Sequence, residues 1–140
     1  MGRGVTEPTG SESVGPIPEL LPEDALPVGF AYPPELLRIL RLGLVDLEPW
    51  LVLRGEPLLA LHHGLRTRYP ARHLVPFARR TDRDDVACWD LEPGAAPICV
   101  VGDYEVPGYE QGETHATFYG WFRSAVDDLV EWDDESLSAS

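Results

Sequence analysis

The sequence predicts an α+β domain in which an antiparallel or mixed sheet of about four or more strands is packed by three main helices. Three short runs rich in β-forming residues lie at residues 74–77, 86–89 and 98–101. The connections between them are too short to carry a crossover helix, which predicts an antiparallel meander. Segments with a helical spacing of apolar residues lie outside this meander and do not alternate with its strands.

The length of 140 residues fits one domain with a tail at each end. Residues 1–25 are rich in Gly, Ser, Thr, Pro and Glu, which predicts a disordered tail because they bury too little apolar surface. We expect the α+β domain at residues 26–132 and an acidic C-terminal tail at residues 133–140. The sequence shows neither a signal-peptide pattern nor an apolar run long enough for a membrane span, so we expect a cytoplasmic protein.

Two helices and a short strand are expected before the meander. The first helix opens at Pro34, since proline is tolerated in a first turn, and ends at Gly43. The strand follows at residues 50–53. The second helix runs from about residue 56 to Arg68, with an apolar stripe on one face formed by Leu58, Leu61, Leu65 and Tyr69.

Within the meander, Pro76 has no N–H to donate, so its strand is expected at an edge of the sheet or at a bulge. Cys88 and Cys99 fall on neighbouring strands, where the Cα spacing allows a disulfide. Two buried, reduced thiols are the alternative that a cytoplasmic location favours.

The last helix is expected to follow a loop at residues 106–112 and to run from residue 114 or 115 to Glu131. Its spacing predicts a face packed on the sheet, with Asp128 turned toward water. The inward positions are Phe118, Phe122, Ala125, Val126 and Leu129.

The formal net charge is −13, and its distribution bears on the partner. From Asp103 onward there is one arginine against ten acidic residues. Nucleic acid is therefore excluded as an expected partner, because phosphate binding needs clustered cations. A basic protein partner is electrostatically favoured. Acidic tails that only maintain solubility are the alternative.

The turn at residues 79–85 is almost wholly charged. Exposed ion pairs stabilise a fold by only ~0–1 kcal/mol each, so stability is a weak reason for so many charges. Salt bridges and side-chain caps within the turn are the structural alternative. Aromatic residues anchor protein interfaces, and they are frequent in this sequence. An apolar rim around Trp50 and Trp121 is the alternative to a charged contact surface. The candidate partner-binding residues are Arg80, Asp82, Asp84, Asp85, Tyr104, Glu105, Tyr109 and Glu110.

We expect no enzyme, no cofactor and no metal site. Asp82, Asp84 and Asp85 resemble a calcium loop, but the central glycine is missing and Arg83 interrupts the carboxylates. The histidines lack metal-ligand spacing, the serines lie mostly in the tails, and glycine-rich phosphate loops are absent from the sequence.

From residue 26 to residue 132 the sequence resembles the SUKH superfamily, specifically its SMI/KNR-type domains. The resemblance rests on PPELLRILRLGLVDLEPW, RYPARHLVPFARRTDRDDVACWDL, GDYEVPGYEQ and TFYGWFRSAVDDL. The middle segment is the most specific, although Asp84-Asp85 replaces the Gly-Asp that is more usual in the family.

The resemblance implies an α+β fold and a function as an immunity protein that neutralises a bacterial polymorphic toxin. It carries no catalytic residues over to this chain. A basic toxin domain is then the expected partner. The alternative is an intracellular scaffold or regulatory protein that binds an endogenous partner. The oligomeric state is left open by the sequence.

Overall fold

The computed structural model describes the chain from residue 20 to residue 139, and its side chains as far as residue 132. Six strands form one antiparallel sheet, and their order across the sheet is their order along the chain. The strands are β1 (Asp46–Leu47), β2 (Trp50–Val52), β3 (Leu74–Arg80), β4 (Asp85–Asp90), β5 (Ile98–Gly102) and β6 (Gln111–His115). The helices are α1 (Pro34–Arg41), α2 (Gly55–Arg68) and α3 (Phe118–Ala139), with a 3₁₀ turn at Glu23–Ala25. The predicted α+β class is confirmed.

Successive side chains of each strand point to opposite faces of the sheet, and helices pack against both faces. On one face Phe77, Trp89 and Val100 join the cluster that contains the buried side chains of α1 and α3. On the other face Cys88, Cys99 and Val101 pack with the C-terminal half of α2. The stripe predicted for α2 is confirmed, since Leu58, Leu65 and Tyr69 are buried and Leu61 packs against both clusters.

Aromatic rings fill the space between the sheet and α3. The Phe77 ring lies 4.6 Å from Trp89, 4.8 Å from Trp121 and 5.2 Å from Phe118, measured between centroids. Trp50 meets Trp121 edge to face at 5.5 Å. Trp50 and Trp121 are therefore core residues, and the predicted apolar rim around them is wrong. Large rings are needed here because the helix must contact a sheet whose strands also carry small residues such as Ala78 and Ala87.

The buried face of α3 agrees with the predicted one at Phe118 and Ala125 and differs from it at Trp121 and Phe122. Phe118, Trp121 and Ala125 are buried, whereas Phe122 is only half-buried. The helix also begins at Phe118 instead of residue 114 or 115, since residues 111–115 form β6. This edge strand was missed because its sequence, QGETH, has no apolar alternation, and its side chains are mostly exposed.

Asp128 was predicted to face water, but it is half-buried against the sheet. Its Oδ2 accepts a hydrogen bond of 2.9 Å from Trp50 Nε1 and lies 3.5 Å from Arg80 Nη1. The carboxylate satisfies the indole N–H of a buried tryptophan. It thereby connects α3 to β2 and to the end of β3.

We expect Asp128→Ala to lower the free energy of unfolding by about 1–2 kcal/mol, because the Trp50 N–H loses its acceptor. Asp127→Ala is the matched control: Asp127 is exposed, and its loss is expected to cost less than ~0.5 kcal/mol. Denaturant unfolding of the two variants measures both values. Equal costs would show that the contact with Trp50 contributes nothing.

The packed domain extends beyond the predicted N-terminal boundary at residue 26. Leu21 is buried in the main cluster, and its N–H donates to Tyr32 Oη at 3.2 Å. Residues 1–19 of the predicted disordered tail lie outside the described residues. At the other end, the backbone of residues 133–139 continues α3, where a separate acidic tail was expected.

Pro76 lies at a bulge, as one of the two alternatives predicted. The register of β3 against β4 shifts between Pro76 and Ala78. The edge alternative is wrong, since β3 is an interior strand of the sheet. The bulge accommodates the missing N–H without placing the strand at the border of the sheet.

Candidate functional site

Two connections lie side by side at one end of the sheet. The turn between β3 and β4 and the loop between β5 and β6 meet there, because Asp85 pairs with Gly102 and the Asp103 N–H donates to the Asp84 carbonyl at 2.9 Å. We call residues 80–85 and 103–110 the sheet-end surface. All of the predicted partner-binding residues lie on these two connections: Arg80, Asp82, Asp84, Asp85, Tyr104, Glu105, Tyr109 and Glu110.

Most of the charges in the turn are paired with one another. Arg80 binds Asp82 through two hydrogen bonds of 2.9 and 3.2 Å, and Arg83 Nε lies 2.8 Å from Asp85 Oδ2. The Arg80 hydrogen bonds hold the pKa of the Asp82 carboxyl below its ordinary value. Asp84 is exposed and forms no ion pair within the described part of the chain. The turn thus contributes one free carboxylate.

The C-terminal end of α2 holds the first part of the loop. Arg68 donates two hydrogen bonds of 2.6 Å to the buried carboxylate of Asp103. Its guanidinium also lies 4.1 Å above the centre of the Tyr104 ring. The Tyr69 hydroxyl donates to the Glu105 carbonyl at 2.7 Å. These contacts fix residues 103–105 to a helix that is distant in sequence.

Arg72 holds the second part of the loop. Its guanidinium donates to Glu110 at 2.9 Å, to Asp90 at 2.9 Å and to Gln111 at 2.8 Å. The other Glu110 oxygen accepts the Gly108 N–H at 2.7 Å. Burial raises the pKa of Glu110. The backbone hydrogen bonds and Arg72 together lower this pKa by more than burial raises it, so the pKa lies below its ordinary value.

Glu110 is therefore part of the frame of the loop and is not free for a partner, which corrects its predicted role. Only 8% of the residue is exposed. Sequence reasoning also missed Arg68, Tyr69 and Arg72 as residues that shape the site. Their position at the end of the predicted second helix, or just after it, gave no indication of partners more than thirty residues away.

Between these two anchors, the loop presents apolar side chains to solvent. Tyr104, Val106 and Tyr109 are 68%, 66% and 79% exposed. Tyr104 also has a left-handed backbone with φ 69°, a conformation that costs a non-glycine residue about 1–3 kcal/mol. The Asp103 carboxylate accepts the Tyr104 N–H at 2.9 Å and holds this conformation. The exposed rings are thus carried on an ordered backbone.

Cys88 and Cys99 are direct partners across β4 and β5, and both thiols are free and buried. Burial raises the pKa of both thiols, that of Cys99 to about 11. Both are protonated at neutral pH, and a protonated thiol is a poor nucleophile. Among the side chains of residues 20–132, no three histidine, cysteine or acidic groups are arranged to hold a metal ion.

None of the helices in the described residues combines the length and the apolar character that crossing a membrane requires. Comparison of the chain with protein-family models, with curated proteins and with solved structures found no match in any of the three.

Proposed function

We propose that the chain is a non-enzymatic protein-binding module whose sheet-end surface takes a partner with a basic surface. The observation that carries this proposal is the loop at residues 103–110, which exposes Tyr104, Val106 and Tyr109. Partly buried ion pairs to arginines outside the loop hold its two ends. Tyrosine supplies a large contact area and has few rotatable bonds, so it loses little entropy on binding. A loop that is already held in one conformation loses even less conformational entropy when it binds.

The free charges of this surface favour a basic partner. Asp82, Asp85, Asp103 and Glu110 are each paired with an arginine. Asp84 and Glu105 are exposed and form no ion pair within the described residues. Two free carboxylates beside exposed tyrosines complement lysine and arginine side chains, and they accelerate encounter with a positively charged protein.

The resemblance to the SUKH superfamily supports a more specific proposal, that the partner is a toxin and that the chain neutralises it as an immunity protein. Neutralisation requires a complex that persists while the toxin is present. A rigid aromatic surface suits this requirement, because preorganisation acts mainly by slowing dissociation.

We expect Tyr109→Ser and Glu105→Lys each to raise the Kd of the partner complex by about tenfold or more, since each removes a residue from the proposed contact. The partner is captured from native cells with the tagged wild-type protein, purified, and titrated against each variant by surface plasmon resonance. Two matched control variants lie away from the surface. Leu42→Ser changes an exposed apolar residue just after α1, and Glu92→Lys reverses a charge at the opposite end of the sheet.

The captured partner also tests the proposed role in toxin neutralisation. Its expression alone is expected to stop bacterial growth, and the wild-type chain is expected to restore growth where the Tyr109→Ser/Glu105→Lys double variant does not. A harmless partner with the same sensitivity to the two variants would favour the scaffold or regulatory alternative. Equal losses in the control variants would refute the sheet-end surface as the binding site.

A further inference from the structure

A cleft of about 620 Å³ lies near the end of the sheet opposite the sheet-end surface. One wall is α2, which contributes His62 and Arg66. The other walls are the 3₁₀ turn with the segment that follows it, the first residue of β3, Leu74, and the residue after β4, Leu91. The volume falls in the range of about 300–1,000 Å³ that is typical of small-molecule sites.

His62 is a largely buried side chain at the wall of the cleft. It lines the cleft, only 7% of the residue is exposed, and it forms no hydrogen bond to any described residue. The imidazole is therefore available to form a hydrogen bond with a molecule in the cleft. Burial, Arg66 and His63 lower the pKa of His62, so the ring is neutral at neutral pH and offers one N–H donor.

Arg66 supplies a positive charge one helical turn from His62. It is exposed at the cleft and forms no ion pair with the residues that the structure describes. Arg72 also lines the cleft, but its guanidinium is occupied by Asp90 and Glu110. Asp24, on the facing segment, is an exposed acid of the lining.

The remaining lining is largely apolar. Leu26, Leu74 and Leu91 contribute side chains, together with Ala25, Pro27 and Pro70. These residues contact the same space as His62 and Arg66. The cleft therefore offers hydrogen-bond donors from one wall and aliphatic surface from the others.

We propose that this cleft binds a small molecule in which an anionic oxygen group is joined to an apolar body. The oxygens accept hydrogen bonds from His62 and Arg66, and the body contacts Leu26, Leu74 and Leu91. A carboxylate and a phosphate ester share this chemistry. The site lies away from the tyrosines of the sheet-end surface and is independent of the proposed protein partner.

The test is an isothermal titration of the whole chain with hexanoate, hexyl phosphate and hexanol, which differ only in the head group. Hexanoate or hexyl phosphate is expected to bind at least about tenfold more tightly than hexanol, and the tighter of the two identifies the head group. His62→Gln and Arg66→Gln are each expected to weaken that binding by about tenfold, since each removes one donor to the anion. Arg54→Gln, an exposed arginine at the start of the same helix, is expected to leave binding unchanged.

The test does not depend on the folding of His62→Gln. A shift of the His62 ring proton resonances on adding the tighter ligand is expected, and it does not require that His62→Gln fold. Arg66 is exposed, so Arg66→Gln is expected to fold normally. Hexanol binding as tightly as the anions, equal weakening by Arg54→Gln, or no binding of any of the three at millimolar concentration would overturn the proposal.

Discussion

Trp121→Ala is expected to lower the free energy of unfolding by about 3–5 kcal/mol, the range for removing a fully buried aromatic ring. Only 1% of Trp121 is exposed, and its ring meets those of Trp50, Phe77 and Phe118. The cavity would open where α3 contacts the sheet, in a place where neighbouring rings are too rigid to collapse fully. Denaturant unfolding followed by far-UV circular dichroism measures the loss.

Phe122→Ala is the matched control, since it removes a ring from the next position of the same helix. Phe122 is half-buried, so its loss is expected to cost roughly half as much as that of Trp121. The sequence pattern placed Phe122, but not Trp121, among the inward positions of the helix. A larger loss for Phe122 would therefore restore the predicted helix face and contradict the structure.

Glu110→Lys is expected to lower the free energy of unfolding by about 3 kcal/mol, at the lower end of the range for breaking a buried ion pair. The substitution removes one of the acceptors of Arg72 and the acceptor of the Gly108 N–H, and it places a second cation beside Arg72. The Arg72 side chain keeps 19% of its surface exposed, which moderates the cost. Urea denaturation measures the change.

Glu105→Lys provides the matched charge reversal in the same loop. Glu105 is exposed, so its reversal is expected to change stability by less than ~0.5 kcal/mol while weakening partner binding. The two glutamates lie five positions apart and have opposite roles, one in the frame and one on the surface. Equal losses of stability would show that Arg72 does not anchor the loop.

The pH dependence of the free energy of unfolding is expected to show the contribution of the Glu110–Arg72 ion pair. Because the pKa of Glu110 in the folded state lies below its ordinary value of 4.5, its contribution to stability is present above that value and is lost as the pH falls below it. Wild-type protein is expected to lose stability through this window. Glu110→Gln, which does not titrate, is expected to start less stable and to lose less between neutral pH and acid.

The central part of the fold could be predicted from the sequence because its cues are local. Short apolar runs separated by charged or Gly/Pro-containing turns mark β3, β4 and β5, and the spacing of leucines marks α2. Strand β6 could not be predicted, because its polar residues join the sheet through backbone hydrogen bonds to β5. Backbone pairing leaves no side-chain pattern to detect.

Part of the candidate site could also be predicted, because its cues are local in the sequence. The charged turn and the tyrosine loop are visible in the sequence as local concentrations of charge and aromatic residues. Which carboxylates of the loop at residues 103–110 are free depends on Arg68 and Arg72, which reach them from α2 and from the segment that follows it. Ion pairing across such a separation is set by the fold.

The sequence by itself determined the α+β class, the antiparallel meander and the acidic balance of the C-terminal third, since each follows from residue type and spacing along the chain. Only the tertiary structure decided which aromatic residues face solvent. Trp50 and Trp121 are buried against each other, whereas Tyr104 and Tyr109 are exposed. Burial of a ring depends on the segments that pack over it, and those segments are distant in the sequence.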